Sequence, residues 1–486
     1  MGKHIWFMLM SFLIALIIGL LIFNGSKTAM GIIILIFLIL ILGNLLYKIG
    51  IEKIDRYIFY LIVFSIPFPC LLQFLGRDAL TVTTIMIYLL FAITILRHLF
   101  EKKNLILGYK ELKFSFILPV LIFGSFTMSL ILNRYFIGQS IRYYVANISG
   151  ILLYFIVLDT IKKDSDLIMV IKIILFVLVL EACIVYLEYK FAVTTKFLEF
   201  FYPTVKVSMT EAYTIGGFHR QVGLHRCGGT VWDYELLADW FMVGSILSMG
   251  LFYNLKKNIY IFYLFCCLAG IILTLTRSVF ILLIFGLMMV IVLINTIKKD
   301  SKKITAKIVL MFFLSCIILF GFLSKGHIKT FIERFETYFQ QSDLLSSEAI
   351  DRKQVWDKAF HAFLREPTIF GKGLYNVEML DYTAGSFHSL HLTLLYKIGI
   401  LGLAIHFVFW LKMLNTSWHI LIAKNNYGNW YTLFFLFISV VLIIIDGVKI
   451  EYLRYAHAIQ FAWLIYGLLI VAIKQNKENN ENIMVS

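Results

Sequence analysis

Long apolar runs recur along almost the whole chain, separated by short polar segments and by two long ones. Because about 20 apolar residues cross the hydrocarbon core of a bilayer, each run predicts a transmembrane helix. The predicted fold is therefore an all-α polytopic integral membrane protein. The fourteen predicted spans lie near residues 5–24, 30–47, 58–76, 80–96, 114–132, 143–160, 168–187, 235–253, 259–275, 278–297, 306–324, 389–411, 430–446 and 456–473.

The two long polar segments divide the chain. The second is predicted to be partly helical, since IKTFIERFETYF and AIDRKQVWDKAFHAFL repeat apolar residues at steps of three and four. The predicted division is N-terminal transmembrane helices at 1–187, a first external loop at 188–234, transmembrane helices at 235–324, a second external loop at 325–388, and C-terminal transmembrane helices with a short tail at 389–486.

Composition and charge agree with this class and set the orientation. The chain is 60% hydrophobic and only 15% charged, with a mean hydropathy of +0.87, outside the range of soluble globular proteins. Most lysines lie in the short segments that alternation places inside, such as 97–113 and 298–307. This positive-inside bias predicts cytoplasmic termini and external long loops, and it explains the net charge of +15 without a nucleic-acid partner.

Three basic residues are predicted to converge on the external face, namely Arg226, Arg277 and His388. The planar fork of arginine suits a phosphate or pyrophosphate, and two arginines would neutralise one pyrophosphate. Histidine takes up a proton near neutral pH, so His388 is the candidate general base for a hydroxyl nucleophile. The alternatives are an interfacial anchor for Arg277 and a helix cap or headgroup contact for His388.

Other polar residues suggest weaker sites. His388 and His391 are three apart on one predicted helix, but no third residue is spaced to complete a metal site with them. Asp164 and Asp166 imitate a metal-binding DxD motif, although they lie among lysines in a short cytoplasmic segment. Four further ionisable residues in or near spans have no common spacing and are candidates either for a proton or ion path or for structural pairs; they are Lys172, Glu181, Asp239 and Asp446.

Four short motifs lie in order over about residues 226–405. The first is an Arg, Gly, Leu-Ala pattern at Arg226, Gly229, Leu237 and Ala238. A Thr-Arg hairpin follows at Thr276 and Arg277. A loop pattern then occupies Arg352, Trp356, Pro367, Phe370, Gly371, Gly373 and Asn376. The closing motif lies at His388, Leu392, Gly399 and Gly402. Together the four motifs resemble the O-antigen ligase/polymerase superfamily of bacterial envelope glycosyltransferases. This chain departs from the family pattern with Ser389 for the usual Asn, His391 for an aromatic residue, and Glu235 for an Asn ahead of the eighth span.

The resemblance implies a metal-independent, inverting glycosyltransferase in the bacterial cytoplasmic membrane, active on its periplasmic or extracellular side. Its donor would be a glycan on undecaprenyl pyrophosphate, and its protein partners a flippase and a chain-length regulator. Arg226 and Arg277 would bind the pyrophosphate and His388 would activate the acceptor, with the loop residues from Arg352 to Asn376 in support. No nucleotide or other cofactor is implied.

Two branches of the family fit these motifs. A polymerase joins lipid-linked repeat units into O-antigen, capsular, exopolysaccharide or teichuronic-type chains, and it is the branch that we favour. A ligase transfers the finished glycan to lipid A core or to a protein. An alternative of another class is a polysaccharide transporter or flippase, for which inverted repeats and spans broken near the midplane are typical.

Overall fold

The computed structural model describes residues 51–68, 81–100, 112–132, 137–191, 228–231, 233–297, 302–322, 332, 355–357, 360–361, 363–365, 367–374, 387, 389–423 and 429–485. Nearly all of them are helical. The principal helices are α1 (Ile51–Ser65), α2 (Val82–Phe100), α3 (Phe114–Leu132), α4 (Ile137–Thr160), α5 (Asp164–Phe191), α6 (Tyr234–Leu255), α7 (Ile259–Leu273), α8 (Arg277–Ile297), α9 (Lys302–Phe322), α10 (Leu390–Ile422), α11 (Trp430–Asp446) and α12 (Ala456–Val485).

Eight of these helices are long and apolar enough to cross a membrane, and α7, α11 and part of α9 are shorter apolar helices. The prediction of an all-α, multi-pass membrane protein is therefore confirmed. The predicted spans at 5–24 and 30–47 lie outside the described residues, so the count of fourteen and the division into loops stay predictions. Contacts divide the chain into units 1–59 and 60–486, and helices α2 to α12 all lie in the second unit.

Helices α12 and α6 form the interior of this unit. All residues in the apolar stretch of α12 are buried, and so are 89% of those in α6. In α8 only 28% are buried, so α8 lies at the periphery. Helix α12 packs against α4 and α11, while α6 packs against α7 and α11. Gly150 permits the close approach of α4, since a Cβ there would lie 2.6 Å from the side chain of Ile459 on α12.

Buried polar side chains connect the interior helices. The amide of Gln460 on α12 donates to the hydroxyls of Thr84 on α2 and Ser149 on α4, at 3.0 and 2.9 Å. Such hydrogen bonds between helices satisfy polar groups that would be costly to bury alone. Near the C-terminal end of α6, the side-chain amide of Asn254 donates to the side chain of Asn429 at 2.7 Å, and Asn429 immediately precedes α11. These contacts connect α12 to α2 and α4, and α6 to the start of α11.

Candidate active site

Helix α10 is broken and folded back on itself. Its break is at Gly399, with φ 74° and ψ −174°. The His391 ring stacks on Phe407 at 5.5 Å between centroids and meets Trp410 edge-on at 5.7 Å. In a straight helix, His391 and Phe407 would be about 24 Å apart along the axis. Residues 390–398, the short arm, therefore lie alongside residues 400–422, the long arm, and the span predicted at 389–411 contains parts of both.

A segment of the second polar loop fills the break in α10. The amide of Ile400 donates to the carbonyl of Thr368 at 3.3 Å. The amide of Leu401 donates to the carbonyl of Ile369 at 3.2 Å. These donors lose their helical partners at the break, and the loop carbonyls replace them. The loop is thus hydrogen-bonded into the fold where the two arms meet.

Glycines make this docking possible. Gly371 has φ 81°, and a Cβ there would lie 2.3 Å from the carbonyl oxygen of Lys397. A Cβ at Gly399 would lie 2.2 Å from the carbonyl oxygen of Ile369. Gly373 also has a positive φ, of 121°. Gly371 and Gly373, predicted as supporting residues, therefore permit the backbone conformation of the loop.

The two neighbours of the predicted base are both buried, although His388 itself lies outside the described residues. The indole N–H of Trp356 donates to the carbonyl of Phe387 at 2.7 Å. Phe387 also packs against Tyr396 on the short arm, with ring centroids 5.3 Å apart. Trp356, which was predicted only as a supporting residue, therefore holds the residue before His388.

The start of the short arm is held from two sides. Ser389 is its N-cap, with extended φ and ψ, and its hydroxyl accepts from the amide of Leu392 at 3.5 Å. Ser is among the favoured N-cap residues, because its side-chain oxygen can accept from the free amides of the first turn. The amide of Leu390 donates to the carbonyl of Gly447 at 2.7 Å, which joins the arm to the turn after α11.

Arg277 is the first residue of α8 and is half-buried. Only Thr274, Leu275 and Thr276 separate α7 from α8, and Leu275 has a positive φ of 54°. The hydroxyl of Thr276 lies 3.4 Å from the carbonyl of Tyr234 at the start of α6. The hairpin is as tight as the sequence predicted, and Arg277 lies at the same end of the bundle as the start of α6.

A buried cluster joins α6 to the turn that follows α11. The hydroxyl of Tyr452 lies 3.3 Å from one oxygen of Asp239 and 3.3 Å from one oxygen of Asp446. The Nζ of Lys449 lies 2.8 Å from the other oxygen of Asp446. The structure thus brings together two acids that are far apart in sequence. Their pairing with Tyr452 and Lys449 favours the structural alternative over an ion path.

The charges in this cluster explain the pKa values of its two members in the turn. Burial lowers the pKa of Lys449, but the carboxylates of Asp446, Asp239 and Glu235 raise it by more, so that its pKa lies above the usual value. Burial, followed by the same two aspartates, raises the pKa of Tyr452. Lys449 therefore stays charged and Tyr452 stays a hydrogen-bond donor at neutral pH.

A second acidic pair, on α5, holds the turn Gly229–Val231. Glu188 accepts from the amide of Gly229 at 3.0 Å, and Glu181 accepts from the amide of Thr230 at 3.1 Å. The Thr230 hydroxyl contacts both Glu181 and the carbonyl of Pro67. Gly229 has φ 56°, and a Cβ there would lie 2.6 Å from Glu181. Glu181 therefore fixes the turn that lies within the first motif.

The structure describes half of the predicted site. Arg277, Trp356, Gly371 and Gly373 are described, whereas Arg226, His388, Arg352 and Asn376 lie outside the described residues. The convergence of Arg226, Arg277 and His388 accordingly stays a prediction. Within the described ranges, no three His, Cys, Asp or Glu side chains are placed to hold a metal ion.

Comparison with protein families adds the deciding observation. Residues 262–407 match the family model described as O-antigen ligase. This stretch is similar to an O-antigen ligase domain. The prediction of the O-antigen ligase/polymerase superfamily is confirmed. The domain runs from within α7 to the long arm of α10, so it contains Arg277 and position 388, while Arg226 precedes it. No curated protein matches the chain.

Sequence reasoning missed several residues around the O-antigen ligase domain. Lys397 on the short arm is buried beside Glu451, and neither was singled out. Tyr452 and Lys449 were also missed, although a signal existed. A lysine in the apolar stretch LTLLYKIGILG needs a partner when buried, and the polar stretch between α11 and α12 contains one acid, Glu451.

Proposed function

We propose that the protein is a membrane glycosyltransferase that polymerises undecaprenyl-pyrophosphate-linked oligosaccharide units into a cell-surface polysaccharide. The observation that carries the proposal is the O-antigen ligase match over the tight α7–α8 hairpin and the folded α10. Arg277 opens α8 at one end of the bundle, and the residues beside His388 are anchored to the turn after α11. A multi-pass chain with these elements suits a donor embedded in the bilayer.

The proposed reaction needs three roles. Arg277 and Arg226 bind the pyrophosphate and stabilise the charge that develops on it. His388 accepts the proton of the acceptor hydroxyl as that oxygen bonds to the anomeric carbon. The bond between that carbon and the pyrophosphate oxygen breaks on the opposite face, so configuration inverts. Undecaprenyl pyrophosphate leaves with the bonding electrons, and no metal ion or nucleotide takes part.

The site is proposed to face the periplasm or the cell exterior. The lysine bias of the short segments supports cytoplasmic termini and external loops at 188–234 and 325–388. The donor would then be a glycan already flipped across the cytoplasmic membrane. A flippase and a chain-length regulator are the protein partners proposed for such a polymerase.

Ligation is the second candidate, because the matching family model is described as O-antigen ligase. A ligase would transfer one finished glycan to lipid A core or protein and would produce no ladder of repeats. A transporter or flippase would leave the lipid-linked donor chemically unchanged. The donor is shared by all three candidates, so their products discriminate between them.

The test uses purified full-length protein in liposomes with one synthetic undecaprenyl-pyrophosphate oligosaccharide. A ladder of products that differ by one repeat unit, with release of undecaprenyl pyrophosphate, is the expected result. Transfer only after lipid A core or protein is added would establish a ligase. Transport of the intact donor across the bilayer, without release of undecaprenyl pyrophosphate, would contradict the proposal.

A further inference from the structure

The short arm of α10 ends in a buried lysine. Lys397 has an exposed fraction of only 1%, and its Nζ lies 3.4 Å from a carboxylate oxygen of Glu451. The same Nζ lies 4.1 Å from the ring centroid of Tyr143 on α4. An unpaired buried charge is costly, whereas a carboxylate and an aromatic face together stabilise one. Lys397 is thus specifically partnered.

Glu451 belongs to the turn that also holds the other end of the arm. The carbonyl of Gly447 in this turn accepts the amide of Leu390 at 2.7 Å. Leu390 and Lys397 are seven residues apart, about 10 Å along a helix. The turn 447–452 therefore contacts the short arm at both ends, through the backbone hydrogen bond at Leu390 and the ion pair at Lys397.

We propose that Lys397 and Glu451 are a positioning pair that sets the short arm, which begins two residues after His388, against the turn 447–452. The proposal rests on the proposed function insofar as His388 acts on the substrate. Buried ion pairs often add little stability over apolar residues, and fixing the register of an element is their best-attested use. Neither Lys397 nor Glu451 is a catalytic residue in this account.

A double-mutant cycle separates positioning from stability. Lys397→Met and Glu451→Gln each remove one partner, so each single variant should unfold at a lower temperature in detergent. The double variant leaves no unpaired charge and should regain most of that loss. If the pair positions the arm, kcat stays down by about 10²-fold in the double variant, with KM for the lipid-linked donor little changed. Lys412→Met, at an exposed lysine on the long arm, is the matched control.

A cross-link reports the position of the arm without any activity assay. A Cβ built on Gly447 lies 3.3 Å from the Cβ of Leu390, close to the separation in a disulfide. In a background with all six native cysteines replaced by alanine, Leu390→Cys with Gly447→Cys should cross-link readily on oxidation. Adding the double change at Lys397 and Glu451 should slow cross-linking at least tenfold.

The kinetic and cross-linking measurements distinguish failure of the positioning pair from failure of the proposed function. A folded double variant with wild-type kcat and cross-linking rate would overturn the positioning role. Slower cross-linking in a protein that shows no transferase activity even as wild type would support the positioning pair and contradict the proposed function.

Discussion

The loop docked into α10 predicts that Gly399 tolerates no side chain. Its φ of 74° and ψ of −174° lie in a region that essentially only glycine occupies. In Gly399→Ala the new Cβ would lie 2.2 Å from the carbonyl oxygen of Ile369 and 2.4 Å from the amide nitrogen of Gly371. Both are backbone atoms, so neither can move away by a rotamer change.

The size of the effect follows from these contacts. A non-glycine residue in this conformation costs about 1–3 kcal/mol. Relieving the overlap separates the loop from the break and removes the hydrogen bonds of Ile400 and Leu401, each worth about 1 kcal/mol. The docked state should therefore be destabilised by about 3–5 kcal/mol.

Hydrogen exchange measures this loss directly. The amides of Ile400 and Leu401 should exchange about 10²–10⁴-fold faster in Gly399→Ala than in the wild type, at one decade per 1.4 kcal/mol. Gly124→Ala is the matched control, because a Cβ there meets nothing within 4 Å. Wild-type exchange in Gly399→Ala would refute the docked loop.

Three further predictions concern the site and its orientation. Arg277→Lys and Arg226→Lys keep the positive charge but lose the planar donor fork of the guanidinium, so polymer yield should fall sharply while membrane insertion stays normal. Full polymer yield in both variants would favour interfacial anchoring over pyrophosphate binding. Trp356→Phe removes the indole donor, worth about 1 kcal/mol, so kcat should fall about fivefold, and an unchanged kcat would show that the contact has no part in activity. Ser208→Cys and Ser347→Cys should react with an impermeant thiol reagent in intact cells, and protection of both would reverse the orientation.

The apolar runs predicted most of the described helices, because hydrophobic length determines which segments can cross a bilayer. The fold-back of α10 was not predicted, since an apolar run has the same composition whether its helix is straight or folded. The glycines at 371, 373 and 399 were identified as motif members. The need for glycine at these positions is visible only in the structure, where the backbone of the loop packs against the break in α10.

The polar contacts of the site were harder to predict. Asp239 and Asp446 were noted as ionisable residues in spans without a common spacing, and they meet only because α6 packs against α11. Lys397 and Glu451 are likewise separated by the whole of α11. Partners of this kind are set by tertiary packing, and a single sequence carries no local pattern for them.

The most direct test of the central claim is the product ladder made by purified protein from lipid-linked repeat units, with EDTA present. His388→Ala should insert normally and make no ladder, since loss of a general base lowers the rate by about 10²–10⁴-fold. His391→Phe should keep most of the wild-type activity, because His391 lies against Phe407 and Trp410, where an aromatic ring fits. An active His388→Ala enzyme, or a wild type inhibited by EDTA, would contradict metal-independent glycosyl transfer by His388.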